Sequence, residues 1–270
     1  MSESKILVEV KGLHKSFGPL KVMDGLDFTL SQGENVAILG QSGTGKSVLL
    51  KVIIGLLDPD EGEVSLWGRP IADLDEVELN SLRRKMGMVF QSGALFDSMT
   101  VYDNLAFPLV ENGVTDEEAI SAVVRERLEW VNLAGAEDKF PSELSGGMRK
   151  RVALARTLAA DPELILYDEP TTGLDPLTSR KISSMIHDID QRVKSTSIVV
   201  THDLACARKV ADRWCYLSGG KILADGTPDE LFESDNQEVR GFLRDISVNP
   251  ITDSQAGPGA SGTISSGKGS

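Results

Sequence analysis

One eight-residue segment, from Gly40 to Ser47, restricts the possible folds of this chain more than any other. It follows the apolar run Asn35–Leu39 and precedes a helical pattern, so it fits G-x-x-x-x-G-K-[ST] in its strand–loop–helix context. Glycines let successive N–H groups face one concavity, and the helix adds its positive end. We therefore predict a nucleotide phosphate site rather than a glycine-rich loop without ligand. The predicted residues are Gly40, Gln41, Ser42, Gly43, Thr44, Gly45, Lys46, Ser47 and Val48.

Apolar strand patterns alternate with helical patterns in the second half of the chain. Leu164–Tyr167 and Ser197–Val200 are continuous apolar runs separated by an amphipathic helix. This alternation indicates a parallel sheet covered on both faces. Residues from about 97 to 160 show helical apolar spacing instead, which suggests a helical insert. Further predicted strands are Leu7–Val10, Asp27–Leu30, Val64–Leu66, Met86–Phe90 and the hairpin Trp214–Leu217 with Lys221–Ala224.

Two carboxylates, Asp168 and Glu169, follow the apolar strand that ends at Tyr167. Ligands bind at the carboxyl ends of strands in open α/β sheets. We expect Asp168 to support Mg²⁺ beside Ser47, and Glu169 to take a proton from the attacking water. An acidic pair alone would more often cap a helix or face water, but a phosphate loop upstream favours the functional interpretation.

A second anion site is predicted where Ser145, Gly146 and Gly147 open a helical run. A serine hydroxyl, free N–H groups and a helix N-terminus can bind phosphate, although an ordinary helix cap has the same composition. Two phosphate-binding helix ends far apart in one chain suggest that they approach one nucleotide from opposite sides. A two-fold dimer provides this arrangement twice, because its contacts are reciprocal.

Composition limits the remaining classes. The net charge of −13, without a basic block, argues against nucleic acid as a partner. Cys206 and Cys215 have no metal-binding spacing, so we expect buried reduced thiols. The first residues lack signal-peptide character, and no run approaches the roughly 20 apolar residues of a membrane-spanning helix. A role at a membrane would therefore require docking onto another protein.

In order along the chain, these motifs resemble the nucleotide-binding subunits of ATP-binding cassette (ABC) transporters, from about Leu7 to Phe242. The resemblance implies an α/β P-loop NTPase fold with a mostly parallel core sheet, an antiparallel β subdomain and an α-helical insert subdomain. It implies ATP and Mg²⁺ as cofactors, a homodimer, and Lys46, Glu169 and His202 as catalytic residues. It also gives Ser47, Gln91 and Asp168 a role at the metal. The remaining implied nucleotide contacts are Phe17 against adenine, Ser145–Gly147 across the dimer and Asp175 in the D-loop.

The residue directly after Ser145–Gly147 departs from the family pattern, because Met148 stands where glutamine is usual. A thioether cannot replace the hydrogen bonds of an amide, so the role of that glutamine is not transferred. The serine and the backbone donors remain, and we expect ATP hydrolysis to be retained.

The segment from Phe90 to Val101, with Ser145–Arg151, resembles the ATPases of Mla/Mce-type phospholipid transport systems. The resemblance implies a peripheral subunit on the cytoplasmic face of the inner membrane, bound to a permease dimer. It further implies an Mce-type lipid-binding protein and a STAS-domain regulator. Leu95, Phe96 and Met99 would form the groove for a permease helix, unless they close the core of the helical insert. Amino-acid or small-solute importers share most motifs, and a soluble non-transport ABC ATPase is the alternative from another class.

We expect residues 5–245 to form the nucleotide-binding domain, with its helical subdomain at about 97–160. Residues 246–270 are rich in Gly and Ser and lack apolar periodicity, so we expect a disordered tail. The alternative is that the tail reaches over a partner.

Overall fold

The computed structural model describes residues 5–248, and the side chains of 245–248 are left out of the description. Its strands are β1 Ile6–Phe17, β2 Leu20–Ser31, β3 Asn35–Leu39, β4 Glu61–Leu66, β5 Arg69–Pro70, β6 Met86–Val89, β7 Leu164–Asp168, β8 Thr196–Thr201, β9 Arg213–Ser218 and β10 Lys221–Gly226. Its α-helices are α1 Lys46–Ile53, α2 Glu76–Arg83, α3 Val101–Glu111, α4 Glu117–Trp130, α5 Gly146–Ala159, α6 Pro176–Val193, α7 Leu204–Val210, α8 Pro228–Phe232 and α9 Gln237–Val248.

The larger sheet has the strand order β10-β9-β3-β8-β7-β6, and all neighbours except β10 and β9 run parallel. Side chains of β3 alternate between two cores. Val36 and Ile38 belong to one apolar cluster, and Ala37 and Leu39 belong to the other. Both faces of the sheet are therefore covered, as predicted from the continuous apolar strands.

The smaller sheet is antiparallel, with the order β2-β1-β4-β5. The sequence predicted only the first part of β1 and the last part of β2. Register shifts interrupt the β1–β2 pairing between Val10 and Leu13 and again between Lys15 and Ser16. Such bulges break the period-two alternation by which strands are recognised, so the second half of β1 and the first half of β2 were missed.

Helices α3, α4 and α5 lie within residues 97–160, where the sequence showed helical spacing. The buried side chain of Asn104 fixes the loop before α3: its Nδ2 donates to the carbonyl oxygens of Phe96 and Thr100 at 3.1 and 2.9 Å, and its Oδ1 accepts from the Phe96 N–H at 2.9 Å. Thr100 and Asp103 cap the helix reciprocally. The loop next to the predicted permease groove is therefore held by an internal hydrogen-bonded network.

Three expectations concern a membrane-spanning helix, the C-terminal tail and the two cysteines. Across residues 5–248, no helix combines the length and apolar character required to cross a bilayer. The predicted tail lies almost entirely outside the described residues. Cys206 and Cys215 are buried free thiols, as expected.

Candidate functional site

Loops from four neighbouring parallel strands meet at one edge of the larger sheet. The strand order places β3, β8, β7 and β6 side by side. The phosphate loop follows β3, His202 follows β8, Glu169 follows β7 and Gln91 lies just after β6. Since parallel strands end at the same edge, residues more than a hundred positions apart in sequence converge there.

The loop between β3 and α1 has the tight glycine geometry that the motif requires. Gly45 has φ of 97°, and a Cβ added to it would lie 2.5 Å from Cγ1 of Val22. Lys46 is buried, and its Nζ donates to the carbonyl oxygens of Gly40 and Gln41, each at 2.9 Å. Burial lowers the pKa of the Lys46 ammonium. The loop is therefore a compact backbone cradle with one cation at its centre.

Ser47 and Asp168 form an oxygen pair beside this cradle. The Ser47 hydroxyl donates to Oδ1 of Asp168 at 2.6 Å. Burial raises the pKa of Asp168, and the Ser47 hydrogen bond partly opposes that effect. Hard oxygen donors suit Mg²⁺, which proteins commonly hold through one or two side chains plus substrate phosphates. Within residues 5–248 no cluster of three or more His, Cys, Asp or Glu could hold a metal ion.

Glu169 is the centre of the polar site. Its Oε1 lies 3.5 Å from Lys46 Nζ, its Oε2 lies 2.9 Å from His202 Nδ1, and Thr172 Oγ1 donates to Oε2 at 3.2 Å. Burial alone would raise the pKa of Glu169, but the His202 hydrogen bond and the nearby charges outweigh it and lower the pKa. The residue adopts φ of 47°, a left-handed conformation that is unusual outside glycine. The carboxylate is therefore ionised and held from both sides.

The predicted second anion site begins at the N-terminus of α5. Ser145 caps the helix and accepts a 3.3 Å hydrogen bond from the Met148 N–H, while Gly146 is exposed. Asp175 caps α6 in the same way, by accepting from Leu177 and Thr178 N–H groups. Residues 145–147 and Asp175 line one cleft of about 1450 Å³ with α4 and α6, and no phosphate-loop residue lines it. Within one chain, the two predicted anion sites thus face separate spaces.

Two further predicted residues lie at the margins. Phe17 ends β1 with 46% of its surface exposed, and Lys15 Nζ lies 5.7 Å from its ring centroid. The side chain of Gln91 is exposed, while its backbone carbonyl accepts from Lys150. Phe17 is therefore a half-exposed aromatic side chain with a neighbouring cation.

Sequence reasoning missed two residues that contact this site, Thr172 and Lys150. Thr172 follows Glu169 by three residues within the turn and had no distinguishing pattern. Lys150 had no distinguishing pattern either, because Arg151 has the same helical spacing to Leu154, Ala155 and Leu158, which are buried as well.

Comparison with known proteins shows the family of this chain. A family model described as ABC transporter matches residues 23–172. The chain is 44% identical to the probable ribonucleotide transport ATP-binding protein mkl of Mycobacterium leprae, over 91% of this chain and 71% of that protein. It is 42% identical to the intermembrane phospholipid transport ATP-binding protein MlaF of Haemophilus influenzae, over 91% of this chain and 93% of that protein.

A solved ATP-binding cassette has the same fold. Its structure is described as dimeric, in a post-hydrolysis state bound to ADP and Pi. It matches with a TM-score of 0.75 and 34% identity, covering 82% of this chain and 98% of the other. The predicted P-loop NTPase fold is confirmed. The chain belongs to the ABC transporter family and is one of its ATP-hydrolysing subunits.

Proposed function

We propose that ATP binds in the cradle of residues 40–48, with Phe17 against adenine and Lys46 at the terminal phosphates. The cradle supplies backbone N–H groups and a helix N-terminus, which stabilise phosphate charge. Ser47, Asp168 and Gln91 hold Mg²⁺, and the 2.6 Å contact between Ser47 and Asp168 supports this assignment. When bound, Mg²⁺ would neutralise charge on the phosphates.

Glu169 is proposed as the general base for the attacking water. A base must be ionised, and its lowered pKa meets that condition near neutral pH. His202 would orient the carboxylate, a role that its 2.9 Å contact supports, and would contact the γ-phosphate in this proposal. Glu169, His202 and Lys46 form one polar cluster around the Glu169 carboxylate. This cluster is the observation that carries the proposal.

We propose that two copies complete each site, with Ser145–Gly147 and Asp175 of one copy facing ATP in the cradle of the other. The N-terminus of α5 opens into a cleft that no phosphate-loop residue lines, which supports a contact with nucleotide held by a second copy. The solved cassette of the same fold is described as a dimer. A two-fold dimer satisfies both observations.

The membrane partner is proposed to dock on the surface that Phe96, Phe107 and Val110 expose, beside Leu95 and Met99. Phe96 and Phe107 are 40% and 37% exposed, and their ring centroids are 4.9 Å apart. Exposed apolar patches mark interaction sites, and an amphipathic helix binds with its apolar face in a hydrophobic groove. The partner would be a permease dimer, which places this chain at the cytoplasmic face of an inner membrane. An Mce-type lipid-binding protein and a STAS-domain regulator would complete the assembly.

The transported substrate is proposed to be a phospholipid. The relative named for intermembrane phospholipid transport aligns along 93% of its own length, whereas the relative named for ribonucleotide transport aligns along 71%. Small-solute import is the second candidate, favoured by the 44% identity to the latter. A transport assay on the complex purified with its permease distinguishes phospholipid transport from small-solute import. Reconstituted vesicles should show ATP-dependent transfer of a fluorescent phospholipid; uptake of ribonucleotide without lipid transfer would reverse the assignment.

Replacement of the base tests the hydrolysis mechanism. Glu169→Gln should bind ATP yet hydrolyse it about 10²–10⁴ times more slowly, the usual effect of losing a general base. Glu163→Gln is the matched control, because this half-exposed carboxylate lies at the other end of the same strand. Wild-type turnover in Glu169→Gln would show that Glu169 is not the base.

Mixed subunits test the shared site. Ser145→Arg subunits should impair the site formed by the Lys46 of a wild-type neighbour. Turnover per wild-type subunit should therefore fall as the fraction of variant subunits rises. A constant value would contradict the proposal that each site is built from two chains.

A further inference from the structure

A buried lysine outside the recognised motifs contacts two loops of the site at once. Lys150 lies on α5, five residues after Ser145, and only 8% of its surface is exposed. Its Nζ donates to the backbone carbonyl oxygen of Gln91 and to that of Glu169, the latter at 3.4 Å. One ammonium group thus joins the loop after β6, the end of β7 and the helix that begins at the second anion site.

The two basic residues next to Lys150 make different contacts. Arg149 donates to the Leu144 carbonyl oxygen within its own helix turn, and Arg151 donates to those of Val131 and Asn132 after α4. Neither neighbour reaches the nucleotide edge of the sheet. Among these three consecutive cations, only Lys150 is directed at the loops after β6 and β7.

Burying an ammonium is unfavourable unless polar groups satisfy it. Desolvation lowers the pKa of Lys150, and the carboxylates of Asp168 and Glu169 act in the opposite direction. Two backbone carbonyls and two nearby negative charges therefore hold a cation where an apolar side chain would otherwise pack. Packing alone therefore does not explain why a lysine occupies this buried position.

The backbone of Glu169 supplies that explanation. Glu169 has φ of 47°, and its N–H donates to Val200 at 2.9 Å. Its carbonyl accepts from Lys150, so the peptide groups on both sides of the strained residue are tied. A left-handed non-glycine residue persists only where its surroundings determine it.

We propose that Lys150 is a positioning residue for hydrolysis: it fixes the backbone of Glu169 and the Gln91 loop to the helix that begins at Ser145. The carboxylate is thereby oriented when that helix meets nucleotide. This inference rests on the proposed role of Glu169 as base. The contacts of Lys150 are to backbone carbonyl groups of the site loops, so its loss should slow turnover far more than it weakens ATP binding.

Steady-state hydrolysis by the full chain tests the inference with three variants. Lys150→Met, which has similar length and no donor, should lower kcat by about 10- to 100-fold, since a displacement of about 1 Å in a catalytic group can cost that much. Its KM for ATP should stay within about twofold. Lys150→Gln keeps an N–H donor and should recover part of kcat. Arg151→Met is the matched control: it removes an adjacent cation with two carbonyl contacts and should leave kcat within about twofold.

Hydrogen exchange gives a readout that does not depend on turnover. Peptides covering 86–96 and 164–174 should exchange faster in Lys150→Met than in wild type, and not in Arg151→Met. Turnover of Lys150→Met within about twofold of wild type, or an equal kcat loss in Lys150→Met and Arg151→Met, would overturn the inference. Glu169→Gln is measured in the same assay. If Glu169→Gln also keeps wild-type turnover, the proposal that Glu169 is the base is wrong. If Glu169→Gln loses turnover while Lys150→Met stays active, only the proposed role of Lys150 is wrong.

Discussion

Asp190 allows a quantitative prediction about stability and pH. This carboxyl group on α6 is 2% exposed and accepts hydrogen bonds from Tyr167 at 3.2 Å and Ser195 at 2.8 Å. Burial raises the pKa of Asp190 from 3.8 to about 6, against the effect of these donors. The native state therefore binds this proton more tightly than the unfolded chain does.

The sign and the size of the effect follow from that difference. Because the native pKa is raised, the stability from this group is present at low pH and declines as pH rises from about 4 to about 6. A shift of about two units corresponds to roughly 3 kcal/mol in total. About half of it, roughly 1.4 kcal/mol, falls between about pH 5 and about pH 7.5, where the protein can be handled.

Urea unfolding of wild type and Asp190→Asn at these two pH values measures the effect. The free energy of unfolding of the variant, relative to wild type, should rise by about 1–1.5 kcal/mol from the lower to the higher pH. Asp188→Asn, an exposed site on the same helix, should show no such rise. A difference between Asp190→Asn and wild type that is equal at both pH values would refute the raised pKa.

Three other predictions concern the site and the sheet. Phe17→Ala should weaken binding of a fluorescent ATP analogue by about 10-fold, because stacking on a base contributes about 1–3 kcal/mol; unchanged affinity would exclude Phe17 from the adenine site. Gly45→Ala should lower both thermal stability and ATP affinity, since its Cβ would lie 2.5 Å from Val22; a normal melting temperature with normal affinity would contradict this. Asp225→Asn should cost about 1–2 kcal/mol in urea unfolding by weakening its two 2.7 Å hydrogen bonds from Arg213, and no loss would show that they are too exposed to matter.

The parallel sheet and the position of the phosphate loop could be predicted from sequence because both depend on local patterns. Asn35–Leu39 matches β3 as predicted, and its apolar run requires two covered faces. The second half of β1 and the first half of β2, which pair with each other, could not be predicted, because bulges between Val10 and Leu13 place consecutive side chains against the alternation. Register is a property of strand pairs and is not encoded in one strand alone.

Which residues meet at the site was predictable only in part. The roles of Lys46 and Glu169 follow from motifs, but their 3.5 Å separation depends on β8 lying between β3 and β7. Lys150 was missed because three consecutive basic residues look equivalent in sequence, and only helix phase directs one of them inward. The roles assigned to the site residues remain predictions, which the variants above test.

The order of strands in the larger sheet has a consequence for how this enzyme tolerates sequence change. Loops that carry Lys46, His202, Glu169 and Gln91 leave adjacent strands, and adjacent strands are about 4.8 Å apart because backbone hydrogen bonds fix that interval. The backbone hydrogen bonds of the sheet thus set the spacing between the site loops, and this spacing does not depend on which aliphatic side chains fill the two cores. Substitutions in those cores can accumulate over long divergence while the reacting groups keep their separations.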